Sequence, residues 1–482
     1  MKKLFKNQRI LLALFLVGTI TMSPFPMSAQ TFNVLHTFTN SPDGSNPVAG
    51  LILSNNVLFG VSQRGGTNGT GMVFRMNTDG TDFTNLHSFA VTGTAFTNSD
   101  GAFPGGYLLL SGNMLYGVTF LGGTGGNGTV YALDTGGMNF TNLHDFSALT
   151  PGSETNSDGV QPEDRLILHS NTLYGVTFSG GVFGVGVLFS VGTSGAGFTN
   201  FYSFNTSGGY GPESGVILLG NMLYGAASAG YDSSKVPGGS GTIYAVQTNG
   251  TGFTNLYSFG IEFTGGNSDG AHPQSYLVLS GNTLYGTTSE GGSSDDGTIF
   301  RINTDGTKFA NVHNFSGSDG KASLAGFWLS GNVLYSTATE GGAAGNGTVY
   351  QFNLSNSNLV TLHSFTAVSG SKSTNSDGIT PDADLVLASN TLYGVAASGG
   401  RAGSGTAFAI ALPPSPPLAI TQAGTNVLLT WPTNVIGYLL QSTTNLASSA
   451  WNNISPAPVI INGANTITNP ASGNQTFYRL SQ

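Results

Sequence analysis

Short apolar runs alternate with clusters of Gly, Asn, Asp and Ser along most of the 482-residue chain, a pattern that predicts short strands joined by tight turns. The alternation is periodic. A Leu-aromatic pair recurs seven times, at Leu58-Phe59, Leu115-Tyr116, Leu173-Tyr174, Leu223-Tyr224, Leu284-Tyr285, Leu334-Tyr335 and Leu392-Tyr393, with Gly next in every copy but the sixth, which has Ser336. A Gly-rich loop follows each pair and leads to a segment ending in Phe74, Tyr131, Phe189, Tyr244, Phe300, Tyr350 or Phe408. A third landmark, of the form Leu-His-Ser-Phe, ends at Phe38, Phe89, Phe146, Phe204, Phe259, Phe315 and Phe365. A fixed period of about 55 residues implies that each copy is one supersecondary unit stacked on its neighbours.

Within a unit the pattern predicts four strands: an apolar run such as residues 107–110, the Leu-Tyr-Gly segment, the Gly-Thr-Val-Tyr segment, and the segment ending in His-Ser-Phe. Ser-Gly-Asn at 111–113 and 280–282 separates the first two strands. Asp79-Gly80, Asn249-Gly250 and Asp305-Gly306 separate the last two, and both are hairpin signals. Four-stranded meanders arranged radially protect their edges as a propeller does. The repeats begin with a lone fourth strand at 32–38 and end after a third strand near Ala411, so the two ends complete one blade. The expectation is an all-β fold, a seven-bladed β-propeller over residues 30–412 closed by the N-terminal strand.

The run Leu115-Tyr-Gly-Val-Thr-Phe-Leu-Gly-Gly-Thr-Gly-Gly-Asn-Gly-Thr-Val-Tyr131 resembles the GloVer tandem repeat of exported bacterial proteins, and the likeness covers roughly residues 31–412. That resemblance implies an exported, propeller-like protein with variable C-terminal modules, and it brings no catalytic residues with it. Residues 413–417, Pro-Pro-Ser-Pro-Pro, read as a stiff linker. Residues 418–482 alternate short apolar strands with Asn, Gly and Ser turns, as a small β-sandwich does. Trp431 and the closing Phe477-Tyr478-Arg479-Leu480 give this segment a resemblance to fibronectin-type-III-like terminal modules.

Composition narrows the picture. Gly supplies 73 residues and charged residues only 8%, which disfavours long helices and charged disordered polymers alike. Lys2, Lys3, Lys6 and Arg9 precede an apolar run at 10–17 and a polar stretch ending Met27-Ser28-Ala29, so residues 1–29 read as a secretory signal peptide and the protein as secreted or displayed at the cell surface. Removing those four bases leaves ten of the 14 Lys and Arg against all 23 acids, a formal charge of −13. Such a surface repels nucleic acid and anionic membranes, and no further 18-residue apolar run follows the leader. With no Cys, disulfide and thiolate chemistry are excluded. A monomer is expected.

Candidate chemistry is sparse. His36, His87, His144, His313 and His363 share one repeat position, replaced by Tyr202 and Tyr257 in the other units, so they are spread by symmetry and read as packing residues with a polar handle. Six units carry Asp-Gly before the first strand, at Asp43, Asp100, Asp158, Asp269, Asp319 and Asp377, and Tyr210-Gly211 stands in the fourth. One acid per loop suits an Asx-type turn better than a calcium site, so no cofactor or metal is expected, calcium being the one exception left open. A single ligand site in a pseudo-symmetric ring must instead use residues that break the repeat. On the long-loop face these are Glu290 and Glu340 before Gly-Gly, and, just after the loop Pro, Glu163, Asp164, Arg165, Glu213, Asp382 and Asp384. No catalytic residue is assigned, because no strong catalytic motif is present. The expected function is an exported, non-catalytic binding or scaffold protein meeting a glycan or protein on that face. The alternative is an extracellular carbohydrate-active enzyme, a glycosidase or lyase, using the same acids.

Overall fold

The computed structural model describes residues 30–205, 209–229, 239–260, 267–371, 373–413, 418–433, 438–444, 451–455, 457–471 and 476–481. The expected leader at 1–29 and residues 414–417 of the linker lie outside them. Among the described residues the fold is all-β, apart from one 3-10 turn at Thr94–Phe96, and no helix is long and apolar enough to cross a membrane.

Between residues 31 and 411 the described chain forms seven antiparallel sheets. The first consists of Ile52–Ser54, Val57–Ser62, Met72–Asn77 and Thr84–Ser88 in sequential order, and the others repeat that order. In the second sheet the first strand is split into Ala102–Pro104 and Leu109–Ser111, both paired with Met114–Leu121. The apolar run expected to pair from residue 107 therefore pairs only from Leu109, and Tyr107 lines a cavity instead. The last sheet takes Val386–Ala388, Thr391–Ala396 and Thr406–Ala411 from the end of the repeats and Thr31–Thr37 from their start, with Phe32 opposite Ile410 and Val34 opposite Phe408.

The repeat signature follows from this register. The Gly after each Leu-aromatic pair lies opposite the aromatic residue of the third strand, as Gly117 does Tyr131 and Gly175 does Phe189. A Cβ on Gly117 would sit 2.4 Å from Tyr131 Oη, because the ring lies flat over the neighbouring backbone. The sixth unit departs from both the Gly and the loop Pro: Ser336 donates to the Gly326 carbonyl at 2.8 Å, and Ser323 Oγ lies 2.8 Å from Tyr350 Oη.

Neighbouring sheets share seven apolar clusters. Phe89, Leu115 and Tyr131 join the first two sheets, Phe365, Leu392 and Phe408 the sixth and seventh, and Phe38, Leu58, Phe74 and Val395 the seventh and first. The seven Phe residues of the third landmark are at most 1% exposed. Farther out, each His or Tyr of the fourth strand stacks on an aromatic ring of the following sheet: His36 on Phe83, His87 on Phe140, His144 on Phe198, Tyr202 on Phe253, Tyr257 on Phe309 and His363 on Phe32, with centroids 3.5 to 4.4 Å apart. In the following sheet His313 meets a tilted Phe352 at 6.2 Å instead, since Leu359 replaces the stacking Phe in the sixth sheet.

The same His residues anchor the Asp-Gly loops. Nε2 of His36, His87, His144, His313 and His363 lies 2.9 to 3.0 Å from the carboxylate of Asp43, Asp100, Asp158, Asp319 and Asp377, and Tyr257 Oη donates to Asp269 at 2.7 Å. A backbone N–H just past the third-landmark Phe also donates to each carboxylate, as Thr39 does to Asp43 and Ala90 to Asp100. In the fourth unit the Gly in this role is Gly209, its Cβ position 2.4 Å from Thr242 Oγ1, rather than the Gly211 expected from spacing. The registers differ by two residues because that loop is short of an Asp to mark its place.

Beyond the repeats, Ala419–Ala423, Asn426–Pro432, Ala464–Pro470 and Val459–Ile461 form one antiparallel sheet, and Asn452–Asn453, Leu439–Thr443 and Phe477–Ser481 a second. Leu429, Trp431 and Ile467 of the first pack on Leu440 of the second.

Candidate functional site

The loop after each fourth strand turns inward at a residue in the left-handed region: Asn46, Phe103, Gln161, Gly211, His272, Ala322 and Thr380, with φ between 52° and 65°. The N–H of each is bonded to a carbonyl of the preceding unit's long loop, for example Phe103 to Thr70, Gln161 to Asn127, and Asn46 of the first unit to Ser404 of the last. These bonds offset part of the strain of a positive φ at a non-Gly residue and fix where the chain goes next. Two residues on, past Pro or Ser323, come Val48, Gly105, Glu163, Glu213, Gln274, Leu324 and Asp382. All seven line a single cavity of about 390 Å³, together with Gln63, Phe120 and a floor that includes Tyr107, Tyr276 and Asp384.

The floor is built from residues two positions farther along, and there the seven units alternate between bulk and its absence: Gly50, Tyr107, Arg165, Gly215, Tyr276, Gly326 and Asp384. The Arg165 guanidinium is sandwiched between the rings of Tyr107 at 4.4 Å and Tyr276 at 4.0 Å and forms an ion pair with Asp384. Asp384 also accepts from the Gly326 amide, and its own amide donates to Tyr107 Oη. Asp164 Oδ2 accepts from the Gly215 amide at 2.5 Å. The glycines are obligatory here, because a Cβ on Gly50 would lie 2.2 Å from Tyr107 Cε1 and one on Gly326 2.8 Å from Tyr276 Cβ.

Above this plug the carboxyl groups are poorly compensated. Burial, reinforced by Glu213 and Asp164, pushes Glu163 up to about 8. Burial takes Asp382 up to about 7 against a hydrogen bond from its own amide, since its neighbours around the mouth are Leu324 and Val48, and its Oδ1 has no hydrogen-bond partner. Asp164 is raised to about 6, where burial outweighs the attraction of Arg165. Glu213 is the satisfied member of the set: Ser228 Oγ donates to it at 2.7 Å, and Gln274 Nε2 donates to its other oxygen.

Six of the eight acids and bases singled out by their departure from the repeat are thus brought together: Glu163, Asp164, Glu213, Asp382 and Asp384 line the cavity, and Arg165 fills the space beneath. Glu290 and Glu340 are elsewhere. They form antiparallel bridges with Ala271 and Lys321, which leaves their side chains 52% and 58% exposed, at 3.8 Å from His272 Nε2 and Lys321 Nζ. Tyr107, Tyr276, Gln274, Gln63 and Phe120 are lining residues that the search for irregular charges passed over. The first three stand in the same columns as Arg165, Asp384 and Glu163, so comparing whole columns of the repeat would have found them. Among the described residues no group of three or more His, Asp or Glu side chains is disposed to hold a metal ion.

The family whose sequence pattern matches the chain is described as the Gloeobacter/Verrucomicrobia repeat, over residues 18–236 and 233–431. No curated protein sequence matches. Among solved structures the chain is similar to an oligogalacturonate lyase in complex with manganese, at 11% identity and a TM-score of 0.48 over 80% of this chain and 97% of that one. It is also similar to a Mycobacterium tuberculosis puromycin-hydrolyzing peptidase, at 10% identity and 0.45 over 83% and 61%. A nidogen/laminin complex gives 13% identity and 0.36 over 61% and 91%.

Proposed function

The chain belongs to the Gloeobacter/Verrucomicrobia repeat family, and from that premise we propose that its seven sheets are the blades of a closed seven-bladed β-propeller whose acidic mouth binds a glycan. In this reading the protein is exported by its N-terminal leader, acts as a monomer without a cofactor, and carries a C-terminal fibronectin-type-III-like sandwich on a Pro-rich linker. The observation that carries the binding function is the convergence on one cavity of all seven residues that follow the loop Pro or Ser323, where Glu163, Glu213 and Asp382 interrupt an otherwise uncharged ring. A cavity of about 390 Å³ has the volume of a small-ligand site, and carboxylates beside Phe120 offer acceptors for sugar hydroxyls and an apolar face for a pyranose ring. The Asp-Gly loops are structural in this reading, because each carboxylate is already taken up by His or Tyr and a backbone N–H.

The test is binding of a glycan panel to the full-length protein and to a Glu163→Gln, Glu213→Gln, Asp382→Asn triple variant. Binding by the parent and loss in the triple variant is the expected result. Binding that survives in the triple variant places the site elsewhere. A second reading, hydrolysis or elimination at the same mouth, is favoured by one observation: a Glu163 carboxyl raised to about 8 is protonated near neutral pH, as a general acid must be. New reducing ends or unsaturated products, abolished by Glu163→Gln alone, would replace the binding function with catalysis.

A further inference from the structure

The mouth has an unusual hydrogen-bonding inventory. Five carboxyl groups line it, those of Glu163, Asp164, Glu213, Asp382 and Asp384, and no Lys, Arg or His is among its lining residues. Several of its donors are spent internally. Gln274 Nε2 is given to Glu213, Arg165 to Asp384, and the Gly215 and Gly326 amides to Asp164 and Asp384. Among its acceptors Asp382 stands out, because its carboxyl lines the mouth while its Oδ1 is buried without a hydrogen-bond partner. A neutral sugar hydroxyl both donates and accepts, whereas an ammonium group offers three donors and no acceptor. Only the second returns to a buried carboxylate the counter-charge it lacks.

We propose that the ligand of this mouth carries a protonated primary amine, as a glycan of amino sugars with free amino groups does, and that Asp382 and Glu163 are the carboxylates that receive it. The proposal rests on the glycan-binding reading above and narrows its ligand class. Asp382 faces Val48 and Leu324 from the units on either side, and Glu163 faces Glu213 of the next unit and Asp164 of its own. The floor below both holds Arg165, Asp384, Tyr107 and Tyr276. Arg165 is the one cation in this set, and it is already paired with Asp384. An incoming ammonium therefore meets no competing positive charge at the level of Asp382 and Glu163.

Ion pairing of this kind has a signature beyond affinity. Near neutral pH Glu163 and Asp382 hold protons that the free acids would not, so an ammonium that ionises them must expel protons to solvent. Calorimetry of the full chain in two buffers of different ionisation enthalpy, with a β-1,4-linked glucosamine tetramer as probe, is expected to show binding with release of about one proton. Its N-acetylated counterpart and cellotetraose are expected not to bind. Asp382→Asn should weaken the amine tetramer by roughly 30-fold or more, and Glu163→Gln should act in the same direction. Glu340→Gln, outside the mouth, should leave affinity unchanged. Asp382→Asn removes a carboxyl whose ionisation burial opposes, and an unchanged or raised Tm will show that its effect is not misfolding. Equal affinity for the N-acetylated or neutral tetramer, binding without proton release, or full affinity in Asp382→Asn would overturn the proposal. If the N-acetylated tetramer binds and the triple variant loses it, glycan binding stands and the amine requirement falls. If none of the three sugars binds, both fall.

Discussion

The fourth-strand rim and the cavity mouth are built from the same seven repeats, yet one keeps its residues and the other discards them. On the rim, His36, His87, His144, Tyr202, Tyr257, His313 and His363 fill one position, and six of the seven stack within 4.4 Å of a ring of the next sheet. At the mouth, the post-Pro position holds Val48, Gly105, Glu163, Glu213, Gln274, Leu324 and Asp382. The difference is geometric. A rim residue meets only its neighbouring sheet, so each junction can be solved in the same way. Mouth residues meet each other, and seven identical carboxyl groups or rings cannot share a cavity of about 390 Å³. The floor makes the point most sharply, because Gly50, Gly215 and Gly326 exist to make room for Tyr107, Arg165, Tyr276 and Asp384.

The contrast breaks most directly at Arg165. Arg165→Met strands Asp384 and Asp164 without their cation and should lower stability by about 3–5 kcal/mol in denaturant titration. Adding Asp384→Asn should recover part of that loss, a non-additivity expected of partners in contact. If Arg165→Met is neutral, the floor does not carry the load that its packing implies.

Rim and mouth should also respond to pH in opposite senses. Burial holds His36 below its ordinary value, so its contribution is present above about 6.5 and is lost as pH falls below that value. For Asp158, burial pushes upward, but hydrogen bonds from His144 and Ser147 prevail and hold it low, and its contribution is likewise lost in acid. At the mouth the native state binds more protons than the unfolded one. Glu163 and Asp382, raised to about 8 and 7, therefore cost stability as pH climbs from about 4.5 to 8. Glu163→Gln with Asp382→Asn should raise stability at pH 8 by about 1–3 kcal/mol and change it little at pH 5. Thermal melts across that range check the slope, and a double variant with the parent's pH profile would mean that both carboxyls are well solvated.

Smaller effects belong to the rim. His87→Ala loses the stack on Phe140 and the bond to Asp100 and should cost about 1–2 kcal/mol, with ligand affinity unchanged. The smallest effect is expected on the opposite face, where Asp79 and Asp305 are held below the usual carboxylate range by the hydroxyl and amide of Thr81 and Thr307. Asp79→Asn with Asp305→Asn should leave glycan binding as it was. Loss of binding there, with binding intact in the mouth variants, would exchange the roles of the two faces.

Much of this organisation was legible along the chain. The Gly117 and Tyr131 positions could be matched because hairpin register fixes them locally, and the lone strand at 32–38 advertised its partner by what the last unit lacks. Glu163, Glu213 and Asp382 were found because strand parity puts the residues after the loop Pro at one end of every unit. Tyr107 escaped because a Tyr at the head of an apolar run looks like core, and only the cavity shows that it stacks on Arg165. Glu290 and Glu340 shared the face and the charge, but their bridges to Ala271 and Lys321 leave their side chains outside the cavity.

Strand order, turn positions and the seven-fold repeat are set by the sequence itself, since period-two patterning and Gly, Asn and Asp turns act over a few residues. Which side chains face one another is decided only in the tertiary structure. Glu163 and Asp382 are 219 residues apart, and they come to one mouth only through the combined placement of seven separate sheets. Their raised proton affinities follow from the same placement, because burial among Val48, Leu324 and Glu213 exists only once those sheets have met.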